Sequence, residues 1–132
     1  MIITKINDYP APIITSGDHI QEIIGLEAGD AKSHSLARVT IKPGKASAPH
    51  FHKISDESYF ILSGTATMNI DGVEFSLQQG EAVLIEPLEV HQIHNFGDDD
   101  LVFLAVCVPA WHPDDSFEMD ESTEKTTGQI LS

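Results

Sequence analysis

Short apolar segments alternate with turn-forming residues along the chain, and none keeps a helical period over several turns. Many of these segments are rich in β-branched or aromatic residues, which favours β-strands. We predict strands at residues 2–6, 20–24, 35–42, 58–62, 65–70, 73–77, 82–85, 90–95 and 101–108. Short strands at this spacing are typical of a sandwich or barrel, and we therefore predict an all-β fold.

The clearest local signal is the dipeptide Asp71-Gly72. It separates two segments in which apolar and polar residues alternate, 66–70 and 73–77. Asp-Gly favours the two-residue type I′ turn that joins antiparallel strands. The sequence therefore predicts a tight hairpin at this point.

The composition changes after Pro109. Residues 113–132 contain six acidic residues, one lysine and few large apolar side chains. Such a segment cannot bury enough apolar surface to offset its ordering entropy by itself. We expect one domain, with a barrel at residues 1–112 and an acidic tail at 113–132 that is mobile or lies over the barrel.

The chain has 132 residues and a formal net charge of −14, which argues against binding nucleic acid or an anionic membrane surface. No apolar run approaches the roughly 20 residues that span a bilayer. The first residues lack the pattern of a secretory signal, and the single cysteine excludes an internal disulfide. We expect a cytoplasmic protein.

Basic residues are concentrated in residues 31–55, which contain no acidic residue. Two interpretations remain open for this segment. Lysines beside strands keep a sheet soluble, or the segment borders a binding site and attracts an anionic ligand. On the second interpretation the candidate substrate-binding residues are Arg38, Lys45 and Lys53.

Residues able to bind a metal ion occur close together in one part of the chain. His50, His52 and Glu57 lie within eight residues, and His91 follows downstream. Side chains two positions apart share a face of a β-strand, so His50 and His52 can point at one ion. Imidazole and carboxylate are usual ligands of divalent transition metals. Two strands with inward ligands can form a site of three histidines and one carboxylate.

These residues resemble the two motifs of the cupins. The first motif, a glycine, His-x-His, a glutamate and a second glycine, is matched at Gly44, His50, His52, Glu57 and Gly64. The second motif is matched at Gly80, His91 and Asn95. The sequence departs from the pattern at Glu86-Pro87-Leu88, where a proline-glycine turn is usual.

The resemblance implies an antiparallel jelly-roll (double-stranded β-helix) barrel of the small single-domain kind, often assembled as a homodimer. It also implies one divalent transition metal, commonly iron, manganese, zinc, nickel or copper. By analogy the ligands are His50, His52, Glu57 and His91.

A metal with open coordination positions suggests an enzyme acting on a small polar or anionic metabolite. Similarity to dioxygenase-like or phosphomannose isomerase-like cupins implies one of those two chemistries. The alternative is a non-catalytic module that binds a small ligand or a metal. Tyr59 shares the strand face of Glu57 and is the candidate acid–base residue, although a core aromatic is the competing interpretation. We expect Cys107 to be a small buried apolar residue and His94 to be exposed.

Overall fold

The computed structural model describes residues 1–9, 13–14, 17–119 and 125–129. Nearly all of its regular structure is β-strand. The strands are β1 (Ile13–Ile14), β2 (Asp18–Ile24), β3 (Ser35–Ile41), β4 (His50–Phe51), β5 (Asp56–Ser63), β6 (Ala66–Ile70), β7 (Val73–Leu77), β8 (Ala82–Ile85), β9 (His91–His94), β10 (Leu101–Val108), β11 (Phe117–Met119) and β12 (Lys125–Gln129). Two short 3-10 helices cover Ile6–Asp8 and Pro113–Asp115.

The strands form two six-stranded antiparallel sheets. The first has the order β1-β2-β3-β10-β5-β8, and the second has the order β12-β11-β4-β9-β6-β7. Strands distant in sequence lie side by side in both sheets, as a jelly roll requires. The predicted all-β jelly-roll barrel is confirmed.

One apolar core lies between the two sheets. Val39, Ile61 and Phe103 come from the first sheet, and Met68 and Ile93 come from the second. Each is 5% exposed or less. Because alternate residues of a strand point to opposite faces, each strand supplies this core from every second position. The inward positions of β5 are Glu57, Tyr59 and Ile61, the face that the sequence predicts.

The hairpin at Asp71-Gly72 joins β6 and β7 with Ile70 opposite Val73. Asp71 and Gly72 have φ of 48° and 86°. Positive φ at both central residues is the signature of a type I′ turn, so the predicted hairpin is confirmed.

The strand predicted at residues 2–6 is wrong. Residues 1–5 are in no strand, and Ile2 and Ile3 are 49% and 77% exposed. β-Branched residues favour extended backbone, but a strand also needs a neighbour to pair with. The sequence also missed β1, β4, β11 and β12. The first three are too short to show alternation, and β12 has no apolar residue.

Part of the acidic segment joins the second sheet. Within β11, Phe117 pairs with Phe51 of β4, and their rings stack with centroids 5.3 Å apart. β12 pairs with β11 in turn. Residues 120–124 and 130–132 of the predicted tail lie outside the described residues. Among the described residues, the chain forms no helix with the length and apolarity needed to cross a membrane.

Candidate metal centre

The four predicted metal ligands lie together inside the barrel. His50 is in β4, His52 follows that strand, Glu57 is in β5 and His91 is in β9. All four are 4% exposed or less. β4 pairs with β9 so that His50 stands opposite His91. This pairing brings together residues that are 41 positions apart in sequence.

Backbone carbonyls fix the orientation of all three imidazole rings. The Nδ1 atom of His50 lies 2.8 Å from the Ala48 carbonyl oxygen, and that of His91 lies 3.0 Å from the Glu89 oxygen. The Nδ1 atom of His52 lies 2.8 Å from the Asp115 oxygen. A carbonyl oxygen only accepts, so each Nδ1 carries the proton and donates it. Each Nε2 therefore faces the interior of the cluster, where a metal ion would take its lone pair in place of an Nε2 proton.

Glu57 is held between the histidines and a cysteine. Its Oε1 atom lies 3.3 Å from His52 Nε2 and 3.1 Å from His91 Nε2. Its Oε2 atom accepts a hydrogen bond from the Cys107 thiol at 3.1 Å. Cys107 is therefore more than the apolar filler that the sequence suggests.

The electrostatics favour an ionised Glu57. Burial alone would raise the pKa of Glu57, but hydrogen bonds from His52 and His91 hold it well below its usual range. Burial and the neighbouring His91 lower the pKa of His50. Burial also disfavours a charged His52, yet the hydrogen bond and the charge of Glu57 outweigh it and raise the His52 pKa.

The four side chains fit a divalent transition metal. One ligand atom from each lies within 4.8 Å of all the others. His50 Nε2 is buried and has no hydrogen-bond partner among the described residues, an arrangement that is costly without a ligand. Nitrogen and carboxylate donors suit manganese, iron, zinc, nickel and copper.

A cavity of about 110 Å³ adjoins the cluster, and Glu57 forms part of its wall. Most of its other lining side chains are apolar, among them Val39, Ile93 and Phe103. Trp111 also lines it, just past the end of β10.

Tyr59 lines this cavity, packed against Phe103 at a centroid distance of 4.5 Å and against His91 at 6.1 Å. Burial, together with the charge of Glu57, raises the pKa of Tyr59 well above its usual value. Its hydroxyl therefore stays protonated at neutral pH.

The structure does not bring Arg38, Lys45 or Lys53 to the cavity. Arg38 donates a hydrogen bond to Gln21 at 2.7 Å, on the strand face opposite to that of Val39. Lys45 is exposed. Lys53 lies over the Phe117 ring at 4.5 Å from its centroid.

The remaining described histidines lie outside the cluster. His94 points to the opposite face of β9 from His91, as the sequence predicts, and is half-buried where its ring stacks on Phe96. His112 caps the 3-10 turn by accepting the Asp114 N–H at 3.0 Å.

Asp115 is a residue of the site region that sequence reasoning missed. Its carboxylate accepts the backbone N–H groups of Lys53, Ile54 and Ser55 at 2.8 to 3.3 Å. Its carbonyl orients His52. The acidic segment is thus hydrogen-bonded to the loop between β4 and β5 and to His52. No local sequence signal indicates a contact across some 60 residues.

Comparison with known proteins adds three findings. The sequence profile of the cupin domain matches residues 37–107. A protein of Methanocaldococcus jannaschii without an assigned activity is 30% identical over 116 residues, which cover 87% of this chain and 93% of that protein. The oxalate-binding protein of Thermotoga maritima is 31% identical over 86 residues, which cover 65% of this chain and 71% of that one.

One of the similar solved structures belongs to a metalloprotein. The oxalate decarboxylase of Bacillus subtilis, studied for its Mn(II) centres, superposes with a TM-score of 0.70 and 26% identity. The match covers 83% of this chain and 30% of that one.

Proposed function

Because this chain belongs to the cupin family, we propose that it is a metal-dependent enzyme acting on a small molecule that enters the cavity beside Glu57. The observation that carries the proposal is the orientation of three buried imidazoles. In each ring, Nδ1 donates a hydrogen bond to a backbone carbonyl oxygen. Nε2 faces the ionised carboxylate of Glu57. Such preorganisation is what a metal centre requires.

His50, His52, Glu57 and His91 would hold one divalent transition metal, and manganese or iron is the preferred identity. The absence of a thiolate from the donor set fits these harder ions. The Mn(II) centres of the Bacillus subtilis decarboxylase support the same choice. Such an ion supplies Lewis acidity or redox chemistry with dioxygen when it is bound.

Dioxygenase-type chemistry is favoured over sugar-phosphate isomerisation. A phosphate needs cationic partners, and no described lysine or arginine lines the cavity. The protonated hydroxyl of Tyr59 interacts with Glu57 at the cavity wall, and an oxygen of a bound substrate would compete with that carboxylate for the proton. Glu57 keeps its negative charge through its hydrogen bonds with His52 and His91.

A non-catalytic binding module is the second candidate. Tyr59 and Cys107 both have raised pKa values, so neither exchanges a proton readily near neutral pH. Beyond Glu57, the acid–base groups left in the cavity wall are the carboxylates of Asp18, Glu22 and Glu27. A protein that only binds a small molecule needs no acid–base group beside the metal. The lack of a readily titrating tyrosine or cysteine there therefore supports this alternative.

The ligand assignment predicts a specific loss of metal. His91→Ala removes one Nε2 donor and leaves a gap in the site, so the purified variant should carry far less than one metal ion per chain. His94→Ala is the matched control, because His94 belongs to the same strand but points to the other face. Inductively coupled plasma mass spectrometry of both variants measures the difference. Full occupancy in His91→Ala would contradict the assignment.

Oxygen uptake separates the enzyme from the binder. The protein is reconstituted anaerobically with Fe(II) and then offered oxygen with a panel of thiols, catechols and keto acids. Uptake that requires both the iron and one of these compounds supports the enzyme. A loaded protein that consumes no oxygen with any of them would favour the binding module.

We also propose a homodimer formed through the outer face of the first sheet. Phe60, Leu84 and Val108 point outward there and are 43%, 57% and 50% exposed. The outward positions of β10, of residues 58–62 and of residues 82–84 include no charged residue, and the charges that flank this patch are Asp56 beside Val108 and Arg38 beside Leu104. In a chain of net charge −14, a mainly apolar patch is the part of the surface that a second copy can meet with the least repulsion.

A cytoplasmic location completes the proposal. Its support is the buried free thiol of Cys107, whose hydrogen bond to Glu57 requires the reduced form.

A further inference from the structure

We infer that the cavity beside Glu57 selects a molecule with an apolar body and a single metal-binding head of at most one negative charge, rather than a dianion such as oxalate. This inference rests on the proposed metal centre and names the substrate class of the same site. The observation behind it is the composition of the cavity wall, where Val39, Ile93, Phe103 and Trp111 meet. An apolar wall favours an apolar ligand surface.

Charges around the cavity oppose an anionic ligand. None of the described residues lining it is a lysine, arginine or histidine. Beyond Glu57, the wall carries the carboxylates of Asp18, Glu22 and Glu27. A carboxylate entering this space finds like charges and no protein cation, and burying an unpaired charge in an apolar site is unfavourable.

The charge balance at the centre limits the head group. A divalent ion together with the ionised Glu57 carries one net positive charge, because the three histidines have Nε2 free only as neutral rings. A head with one negative charge neutralises it. A dianion would leave a net negative charge beside a wall that is mainly apolar and holds no protein cation.

The volume of the cavity limits the size of the apolar part of the ligand. At about 110 Å³ it is close to the apolar cavities of about 150 Å³ that bind benzene. One aromatic ring or a short branched chain fits this space. The basic segment at residues 31–55 does not alter this conclusion, since Arg38 lies on the opposite face of its strand and Lys53 packs on Phe117.

Trp111 provides the readout, because it lines the cavity and is the single tryptophan of the chain. Its fluorescence is titrated with benzohydroxamate, acetohydroxamate and oxalate, in zinc-loaded and in metal-free protein. The two hydroxamates share one chelating head and differ only in the body. We expect benzohydroxamate to bind the zinc-loaded protein at least about tenfold more tightly than either other compound, because a phenyl group buries far more apolar area than a methyl group.

A pair of variants locates the binding. Ala37→Phe fills the cavity and should weaken benzohydroxamate binding by about tenfold, with acetohydroxamate much less affected. Val73→Phe places the same ring at a position that is 65% exposed on the second sheet, away from the cavity, and should change neither. If Ala37→Phe does not fold, Ala37→Val tests the same wall with a smaller side chain.

Equal affinities for the two hydroxamates, or tighter binding of oxalate, would overturn the inference while leaving the metal centre intact. Failure of the protein to retain zinc would instead contradict the proposed function. In that case the titration of the metal-free protein tests the inferred ligand selectivity. A response to benzohydroxamate that oxalate does not produce supports it, and no response to benzohydroxamate overturns it.

Discussion

The thiol of Cys107 is positioned to control how Glu57 faces the histidines. Burial raises the pKa of this thiol, so it stays protonated and acts as a donor. It donates to Oε2 of Glu57, which leaves Oε1 directed at His52 and His91. Loss of a residue that orients a metal ligand in this way typically weakens metal binding by about 10- to 100-fold. Cys107 is therefore a positioning residue for the carboxylate.

Replacing Cys107 with alanine removes the donor to Oε2. We expect the metal dissociation constant of Cys107→Ala to rise by about tenfold, because Glu57 loses the hydrogen bond that fixes its rotation. Cys107→Ser retains a donor at the same position and should lose much less affinity. Competition with a chromophoric chelator measures both. Equal losses in the two variants would show that packing, not the hydrogen bond, is what matters.

The turn between β8 and β9 carries a backbone strain that the sequence motif indicates. Leu88 has φ of 73°, although it is not glycine. It follows Pro87, and the Glu89 N–H donates to the Glu86 carbonyl at 3.2 Å, as in a type II turn. Glycine is usual at this position of such a turn, and the related family motif has one. A hydrogen bond from the Leu88 N–H to the carbonyl oxygen of His52 holds the turn in this conformation.

Leu88→Gly should stabilise the protein. Left-handed backbone costs a residue with a Cβ roughly 1–2 kcal/mol, and part of that gain is offset by the greater freedom of glycine in the unfolded chain. We expect a net increase of about 0.5–1 kcal/mol in the free energy of unfolding. Leu88→Ala is the control, since it removes the exposed side chain but keeps the Cβ. Chemical denaturation of both variants gives the comparison, and an equal gain in Leu88→Ala would assign the effect to the side chain.

At the level of elements, the sequence predicts what local patterns encode. Alternation located most of the longer strands, Asp71-Gly72 located the hairpin, and the spacing of His50, His52 and Glu57 located the buried cluster of histidines and glutamate. Long-range contacts lie beyond such patterns. The hydrogen bond of Cys107 to Glu57 spans 50 residues, and Asp115 reaches the loop after β4 across about 60. The apolar cavity also depends on how several strands close together, which no single segment shows.

For the whole molecule, the uneven distribution of charge and apolar surface suggests how copies associate. The chain carries a net charge of −14, so most of its surface repels a second copy. The outer face of the first sheet differs, because Phe60, Leu62 and Leu84 are exposed beside the outward valines of β10. An isologous dimer pairs a patch with itself, and a mainly apolar patch is compatible with that symmetry.

Phe60→Lys should disrupt this dimer. A lysine within this patch removes apolar contact and brings an unpaired charge into the interface from each copy, and both effects weaken the dimer. Size-exclusion chromatography with light scattering should give twice the chain mass for the natural protein and the chain mass for the variant. Val73→Lys adds the same charge at a position that is 65% exposed on the second sheet, and it should remain dimeric. If the natural protein is a monomer at all concentrations tested, or if both variants dissociate alike, the interface lies elsewhere or does not exist.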